Sequence, residues 1–216
     1  LHRIEPNDLL MVNLYPFAAT IARPDCTYAE AVENIDISGP AMLRAAAKNH
    51  AHVGIVVDPS TYGDVLEELR EQGTLSDATR RRLARAAFAH TAPYDAAIVA
   101  WFDEEDGEVL PPSLHVAAER VQDLRYGENP HQVGARYRVA GERSWWDDAT
   151  QHGGKELSYL NLYDAEAAWR LVHDLGRVGA PGGGAGDRPA CAIIKHANPC
   201  GVAVAGTLAE AYAQAL

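Results

Sequence analysis

The chain opens on a nearly unbroken apolar run, Asp8-Leu9-Leu10-Met11-Val12-Asn13-Leu14, the pattern of a strand buried on both faces of a parallel sheet. A second short β-branched run, His52 to Val57, predicts a companion strand. Helical signals separate and follow the two. Thr27-Tyr28-Ala29-Glu30 is a capping box, Pro40 to Ala47 continues helically after Gly39, and Pro59-Ser60 leads into a helix over Thr61 to Gln72 that Gly73 ends. Ser76-Asp77 caps a longer helical region that runs toward Trp101 and is expected to break near Pro93, whose ring removes a donor and crowds the preceding turn. Arg80-Arg81-Arg82 reads as a solvated face of that helix. Asp103 to Pro112 combines acids, Gly107 and two prolines, and predicts a boundary between a first domain over residues 1–112 and a second over 113–216. In the second, Leu114 to Leu124 alternates partially and reads as a strand, Asp164 to Leu175 as an amphipathic helix, and Ala190 to Ile194 as a buried strand. Gly176 to Asp187 holds six glycines without the Gly-Lys-Ser/Thr of a phosphate loop, and is expected to be a surface loop. Thr207 to Leu216 begins a helix with capping-box chemistry and carries no stop signal. The alternation of elements predicts an α/β protein, and the unaccompanied first strand and unterminated last helix predict ends internal to a longer chain.

Composition narrows the class. With 47% hydrophobic and 23% charged residues the 216-residue chain is globular in character, and no apolar run approaches the roughly 18 residues of a membrane span. A net charge of −11 argues against nucleic acid and anionic membrane as partners, leaving a small molecule or another protein. No secretory signal is visible, and Cys26, Cys191 and Cys200 form neither a disulfide framework nor a Cys-only zinc site, which fits the reducing cytoplasm. Of 19 basic residues only Lys48, Lys155 and Lys195 are lysines. A lysine kept where arginine is so strongly preferred points to chemistry a guanidinium cannot do, or is a chance survivor on the surface.

Three clusters carry candidate chemistry. Tyr15, in Asn13-Leu14-Tyr15-Pro16-Phe17, stands just past the carboxyl end of a predicted parallel strand, where ligands bind in open α/β sheets. Asp36, Gly39 and Lys48 follow. Asp36 is suited to exchange protons while Lys48 and the Tyr15 hydroxyl steady an oxyanion; an N-cap aspartate, a surface lysine and a half-buried tyrosine would leave the same pattern. Leu124 to Gln132 is almost devoid of apolar residues: Arg125 offers a fork for phosphate or carboxylate and Tyr126 a stacking face, or the segment is an ordinary polar turn. Lys195-His196-Ala197-Asn198-Pro199-Cys200-Gly201 directly follows a strand. Lys195 and His196 there suit charge stabilisation and proton transfer for an amine attacking a carbonyl carbon, with Gly201 permitting close approach of the backbone to a ligand. Cys200 with His196 as its base is a nucleophile pattern too, although a small half-buried thiol in a turn is the commoner case. No second Cys or His stands at zinc-ligand spacing. His90, His115 and His173 read as structural or exposed.

Asn-Leu-Tyr-Pro-Phe, Glu-Asn-Ile-Asp-Ile, Ala-Ala-Lys-Asn-His, Leu-Arg-Tyr-Gly-Glu-Asn-Pro-His-Gln and Lys-His-Ala-Asn-Pro-Cys-Gly, in this order, resemble the bifunctional purine-biosynthesis family in which AICAR transformylase is joined to IMP cyclohydrolase. The resemblance spans the whole chain and corresponds to the middle of the family's longer one. It implies the second half of a methylglyoxal-synthase-like parallel-sheet domain, followed by the start of a cytidine-deaminase-like transformylase domain without catalytic zinc. It assigns Tyr15, Asp36 and Lys48 to closure of formyl-AICAR to IMP, with Asn13 and Gly39 beside the substrate and a further lysine of that site upstream. It assigns Arg125, Tyr126 and Asn161 to nucleotide contacts, and Lys195 and His196 to formyl transfer from 10-formyltetrahydrofolate, a co-substrate bound mostly by residues downstream. Lys155 lies in Gly153 to Tyr159, a segment the family also has. Ser38 replaces the first glycine of the family's Ile-Asp-Ile-Gly-Gly. The implied partners are small-molecule nucleotides and a second copy in a cytoplasmic homodimer. A nucleotide-binding regulatory domain or an inactive fragment are the alternative readings.

Overall fold

Strand β1 (Leu9–Met11) lies parallel to β2 (Gly54–Val56), pairing Leu10 with Ile55, and this pair is the sheet of the first of two units, residues 1–117 and 118–216. The computed structural model describes residues 5–177 and 188–216. The expected glycine-rich loop therefore falls outside the described residues, apart from Gly176 and Arg177, which end a helix. Around the first sheet stand α1 (Phe17–Ile21), α2 (Tyr28–Glu33), α3 (Ser38–Lys48), α4 (Tyr62–Gln72) and α5 (Asp77–Glu105). The capping chemistry read from the sequence is present: Thr27 and Glu30 close both bonds of the box on α2, Ser76 caps α5, and α4 ends at Gly73 with φ +71°. β2 is buried throughout, whereas β1 is half-buried with Met11 exposed, because among the described residues it has only β2 beside it.

Three expectations are corrected in this unit. α5 runs unbroken through Pro93. The helix is anchored on both sides of the proline: Leu83, Ala84 and Ala87 join the core around Leu43, Ile55 and Val56, and Trp101 packs edge-on against Phe17 at 5.7 Å. Those contacts outweigh the roughly 3 kcal/mol an interior proline costs. The same helix continues to Glu105, so the first part of the predicted boundary segment is helical. Arg80 is not solvated like Arg81 and Arg82; its guanidinium donates to the Leu75 carbonyl and pairs with Asp77.

The second unit is built on antiparallel hairpins. β3 (Ala118–Leu124) pairs with β4 (Gly134–Val139), and β5 (Ala190–Lys195) with β6 (Asn198–Val204); α6 (Tyr159–Arg177) packs on β5, and α7 (Leu208–Ala215) covers β5 and β6. The predicted strand from Leu114 starts only at Ala118, the predicted helix from Asp164 starts five residues earlier at Tyr159, and β5 is half-buried rather than buried. β4 and β6 are additional. β6 contains Pro199 and Gly201, which argue against a strand, and it tolerates them because its register with β5 shifts between Ile193 and Ile194.

Trp145, Trp146 and Trp169 stack on one another at 4.0 and 4.6 Å, and both Trp145 and Trp146 donate their indole N–H to Oε2 of Glu166. Burial pushes the Glu166 carboxyl up, but hydrogen bonds from Arg170, Trp145 and Trp146 bring it below the ordinary 4.5. Asp147 is lowered chiefly by the Ser144 backbone N–H, with Arg136 3.1 Å away adding to it. Both groups titrate lower folded than unfolded, so they stabilise the fold above their unfolded values, and that gain is lost as the pH falls through them. The thermal midpoint of this unit, followed by the near-ultraviolet dichroism of the stack, is expected to drop as the pH falls below 4.5. Glu166→Gln should lower the midpoint at neutral pH and flatten the acid drop; an acid profile unchanged by the substitution would contradict this.

Candidate functional site

In the first unit the segment leaving β1 carries Asn13, exposed, and Tyr15, whose ring is also exposed. The backbone N–H of Tyr15 donates to Oδ2 of Asp36 at 3.3 Å, and the N–H of Gly39 donates to Oδ1 at 2.7 Å. Asp36 is buried. Its carboxylate ties the strand exit to the first turn of α3, where backbone donors and the positive end of the helix dipole favour an anion. Tyr94 of α5 completes the arrangement: its hydroxyl accepts from the Asp36 N–H at 2.7 Å and donates to the Asn34 carbonyl at 3.3 Å. Burial pushes this phenol above its ordinary value, so it stays protonated and keeps donating. Tyr94 was not singled out from the sequence, and a tyrosine following a proline inside a helix was its only signal. Gly39 is packed so tightly that a Cβ there would lie 2.5 Å from Asp36 Oδ2. Ser38 stands exposed at the start of α3.

Lys48 is not brought to this group. It ends α3, ten residues beyond Ser38, a rise of about 15 Å. There it lines an open groove of about 490 Å³ with Arg44, His50, Arg81, Arg85 and Phe88. Its charge also complements the carbonyl end of its own helix.

In the second unit the predicted residues attach to α6 or to the segment that enters it. The Arg125 N–H donates to the Leu157 carbonyl at 2.9 Å and the Tyr159 N–H to the Tyr126 carbonyl at 3.2 Å, so Arg125-Tyr126 is zipped to the segment entering α6. The Arg125 guanidinium sits 4.9 Å from the Tyr126 ring centroid and donates to its hydroxyl at 3.3 Å. Next to this pair lies an open groove of about 650 Å³ lined by Leu124, Glu128, His131 and Tyr159 among others. The loop beneath it closes where Gly127 and Gly134 meet: a Cβ on Gly134 would lie 3.2 Å from the Gly127 Cα. Asn161 uses its Oδ1 to accept from the Ser158 N–H and hydroxyl, both at 3.0 Å. Its carbonyl is thereby committed to starting the helix, and its amide NH₂ is the group left to offer a ligand.

One turn further along α6, Asp164 accepts the Ala197 N–H at 2.7 Å. The entry of α6 thus holds Arg125-Tyr126, and its second turn holds the tip of the β5-β6 hairpin. Lys195 and Asn198 face each other across that tip, and His196 and Ala197 form its two-residue loop with φ of 54° and 57°. Such positive angles are what a tight hairpin needs, and without glycine they cost about 1 kcal/mol or more each. Lys195 and His196 are exposed. Asp164 was read from the sequence only as part of an amphipathic helix; its place one turn beyond Asn161 was the available signal. Cys200 lies in β6 and is exposed, not half-buried in a turn. Gly201 approaches the backbone of α7 rather than open space, since a Cβ on it would fall 1.7 Å from the Ala215 carbonyl oxygen. Among the described residues no group of three His, Cys, Asp or Glu converges to hold a metal ion, and no helix is long and apolar enough to cross a membrane.

A protein-family model, AICARFT/IMPCHase bienzyme, matches residues 46–216. The chain belongs to this family. Lys48, Arg125, Tyr126, Asn161, Lys195 and His196 fall inside the matched stretch, while Asn13, Tyr15, Asp36 and Gly39 precede it. The bifunctional purine biosynthesis protein PurH of Halalkalibacterium halodurans is 49% identical over 215 residues, which make up 99% of this chain and 40% of that protein. The chain thus spans about two fifths of the length of this relative. The crystal structure of ForH is similar at 38% identity, covering 44% of this chain and 50% of its own, with a TM-score of 0.39.

Proposed function

We propose that this chain supplies parts of two active sites that complete purine-nucleotide synthesis: formyl transfer from 10-formyltetrahydrofolate to AICAR, then closure of formyl-AICAR to IMP. The observation that carries the reading is that α6 and the segment entering it bond both the Arg125-Tyr126 segment and, through Asp164, the hairpin that carries Lys195 and His196. Arg125 suits the phosphate, Tyr126 a stacked ring and the Asn161 amide a carbonyl acceptor of the nucleotide. The amino nitrogen of AICAR bonds to the formyl carbon, the bond from that carbon to the folate nitrogen breaks, and the proton lost by the amine ends on the departing tetrahydrofolate. His196 moves that proton and Lys195 stabilises the oxyanion between the two events. A weakly nucleophilic amine attacking an amide-like carbon is a reaction in which both services lower the barrier.

Ring closure belongs to the first unit. The carboxamide nitrogen adds to the new formyl group and water leaves, with the Tyr15 hydroxyl and Asp36 at the site. Gly39 and Asn13 border it. The fixed Asp36 carboxylate also sets where Tyr15 stands. The part of Lys48 rests on the family motif, since it stands at the other end of α3. The partners in this reading are small-molecule nucleotides and a second copy of the chain, in the cytoplasm.

In a full-length bifunctional enzyme carrying this segment, Lys195→Ala and His196→Ala are each expected to abolish formyl transfer while cyclisation of supplied formyl-AICAR continues. Equal loss of both activities would sink the two-site assignment. Lys48→Ala is expected to show the converse, and retained cyclisation in that variant would remove Lys48 from the reaction.

A further inference from the structure

We infer that Asp164 is a positioning residue for formyl transfer: its carboxylate, by accepting the Ala197 N–H, holds the His196-Ala197 turn in the left-handed conformation that presents Lys195 and His196. The inference rests on the proposed role of those two residues. Two consecutive residues with side chains at φ 54° and 57° suit the hairpin but are costly without glycine, so a bond that holds the turn from outside adds to what the β5-β6 pairing supplies. The bond within the tip, from the Asn198 amide to the His196 carbonyl at 2.8 Å, involves a neighbour that would move with the turn. The bond from Ala197 to Asp164 is different, because it reaches 33 residues back to a packed helix and is 2.7 Å long.

Asp164 has no competing structural duty at the helix start. It is the sixth residue of α6, beyond the first turn whose free N–H groups attract carboxylates, and Ser158 with Asn161 already closes that end. Its position also ties two segments far apart in sequence to one helix: the residues entering α6 bond the Arg125-Tyr126 segment, and Asp164 bonds the hairpin of the reacting pair. A displacement of about 1 Å in reacting groups is enough to cost on the order of 100-fold in rate.

The test uses a full-length bifunctional enzyme carrying this segment, with both activities measured for each variant. Asp164→Ala is expected to lower kcat for formyl transfer by roughly 100-fold, with KM for AICAR and the cyclisation rate nearly unchanged. Asp164→Asn, which keeps an acceptor oxygen, should retain most of the activity. Adding Ala197→Gly to Asp164→Ala should restore much of the lost kcat, since glycine adopts positive φ without strain. If Asp164→Ala leaves kcat intact while Lys195→Ala abolishes formyl transfer, the positioning role is overturned and the reading of the site stands. If Lys195→Ala itself leaves formyl transfer intact, the reading of the site falls and the role of Asp164 in the reaction falls with it. Parallel loss of cyclisation in Asp164→Ala, unrelieved by Ala197→Gly, would mark a general folding defect and also overturn the inference.

Discussion

Gly201→Ala is expected to dismantle the packing of α7 on the β5-β6 hairpin. The added Cβ would sit 1.7 Å from the Ala215 carbonyl oxygen and 2.8 Å from its carbon. Both sides of the clash are fixed to backbone, so no rotamer change relieves it, and either β6 or α7 must shift. Overpacking costs about 1–3 kcal/mol where side chains can yield, and more is expected where they cannot. Ala211 and Ala215, buried on the inner face of α7, would lose their contacts in the shift. Urea unfolding of the chain should show a lower midpoint for the second unit, with the first unit unaffected. An unchanged midpoint would mean that α7 does not lie against Gly201.

Gly39→Ala is expected to be the most damaging single methyl in the first unit. Its Cβ would come within 2.5 Å of Asp36 Oδ2, 2.9 Å of Asp36 Cγ and 2.8 Å of Leu14 Cδ2. The carboxylate cannot stay where it accepts from both Tyr15 and Gly39, and moving it leaves the buried Gly39 N–H unpaired at about 1–3 kcal/mol. Under the proposed chemistry the same movement releases Tyr15, so cyclisation should fall by at least about 10-fold while formyl transfer in the same protein is retained. Cyclisation at the unsubstituted rate would show that the Asp36 arrangement is dispensable.

The first unit was largely legible because its determinants are local. Thr27, Ser76 and Gly73 act on the turn they sit in, and the apolar runs that became β1 and β2 need no partner to be recognised. Pro93 misled because the local penalty is overcome by contacts at Phe17 and Leu43 that are distant in sequence. In the second unit, β6 was hidden by Pro199 and Gly201, tolerated only through the shifted register with β5. The site residues were visible as polar motifs, but what unites them was not. Asp164 carries no motif, and its meaning depends on a hairpin formed 33 residues later. Lys48 shows the opposite case: proximity to Asp36 in sequence becomes distance along a helix.

The proposed function requires Arg125, Tyr126, Asn161, Lys195 and His196 to serve a single nucleotide site. Its most direct test is titration of this chain with AICAR nucleotide, followed by amide chemical shifts. Saturable shifts are expected at Tyr126, Asn161, His196 and Ala197 with one shared affinity, abolished together by Arg125→Ala. Shifts confined to residues elsewhere, or different affinities for the Tyr126 and His196 signals, would contradict it.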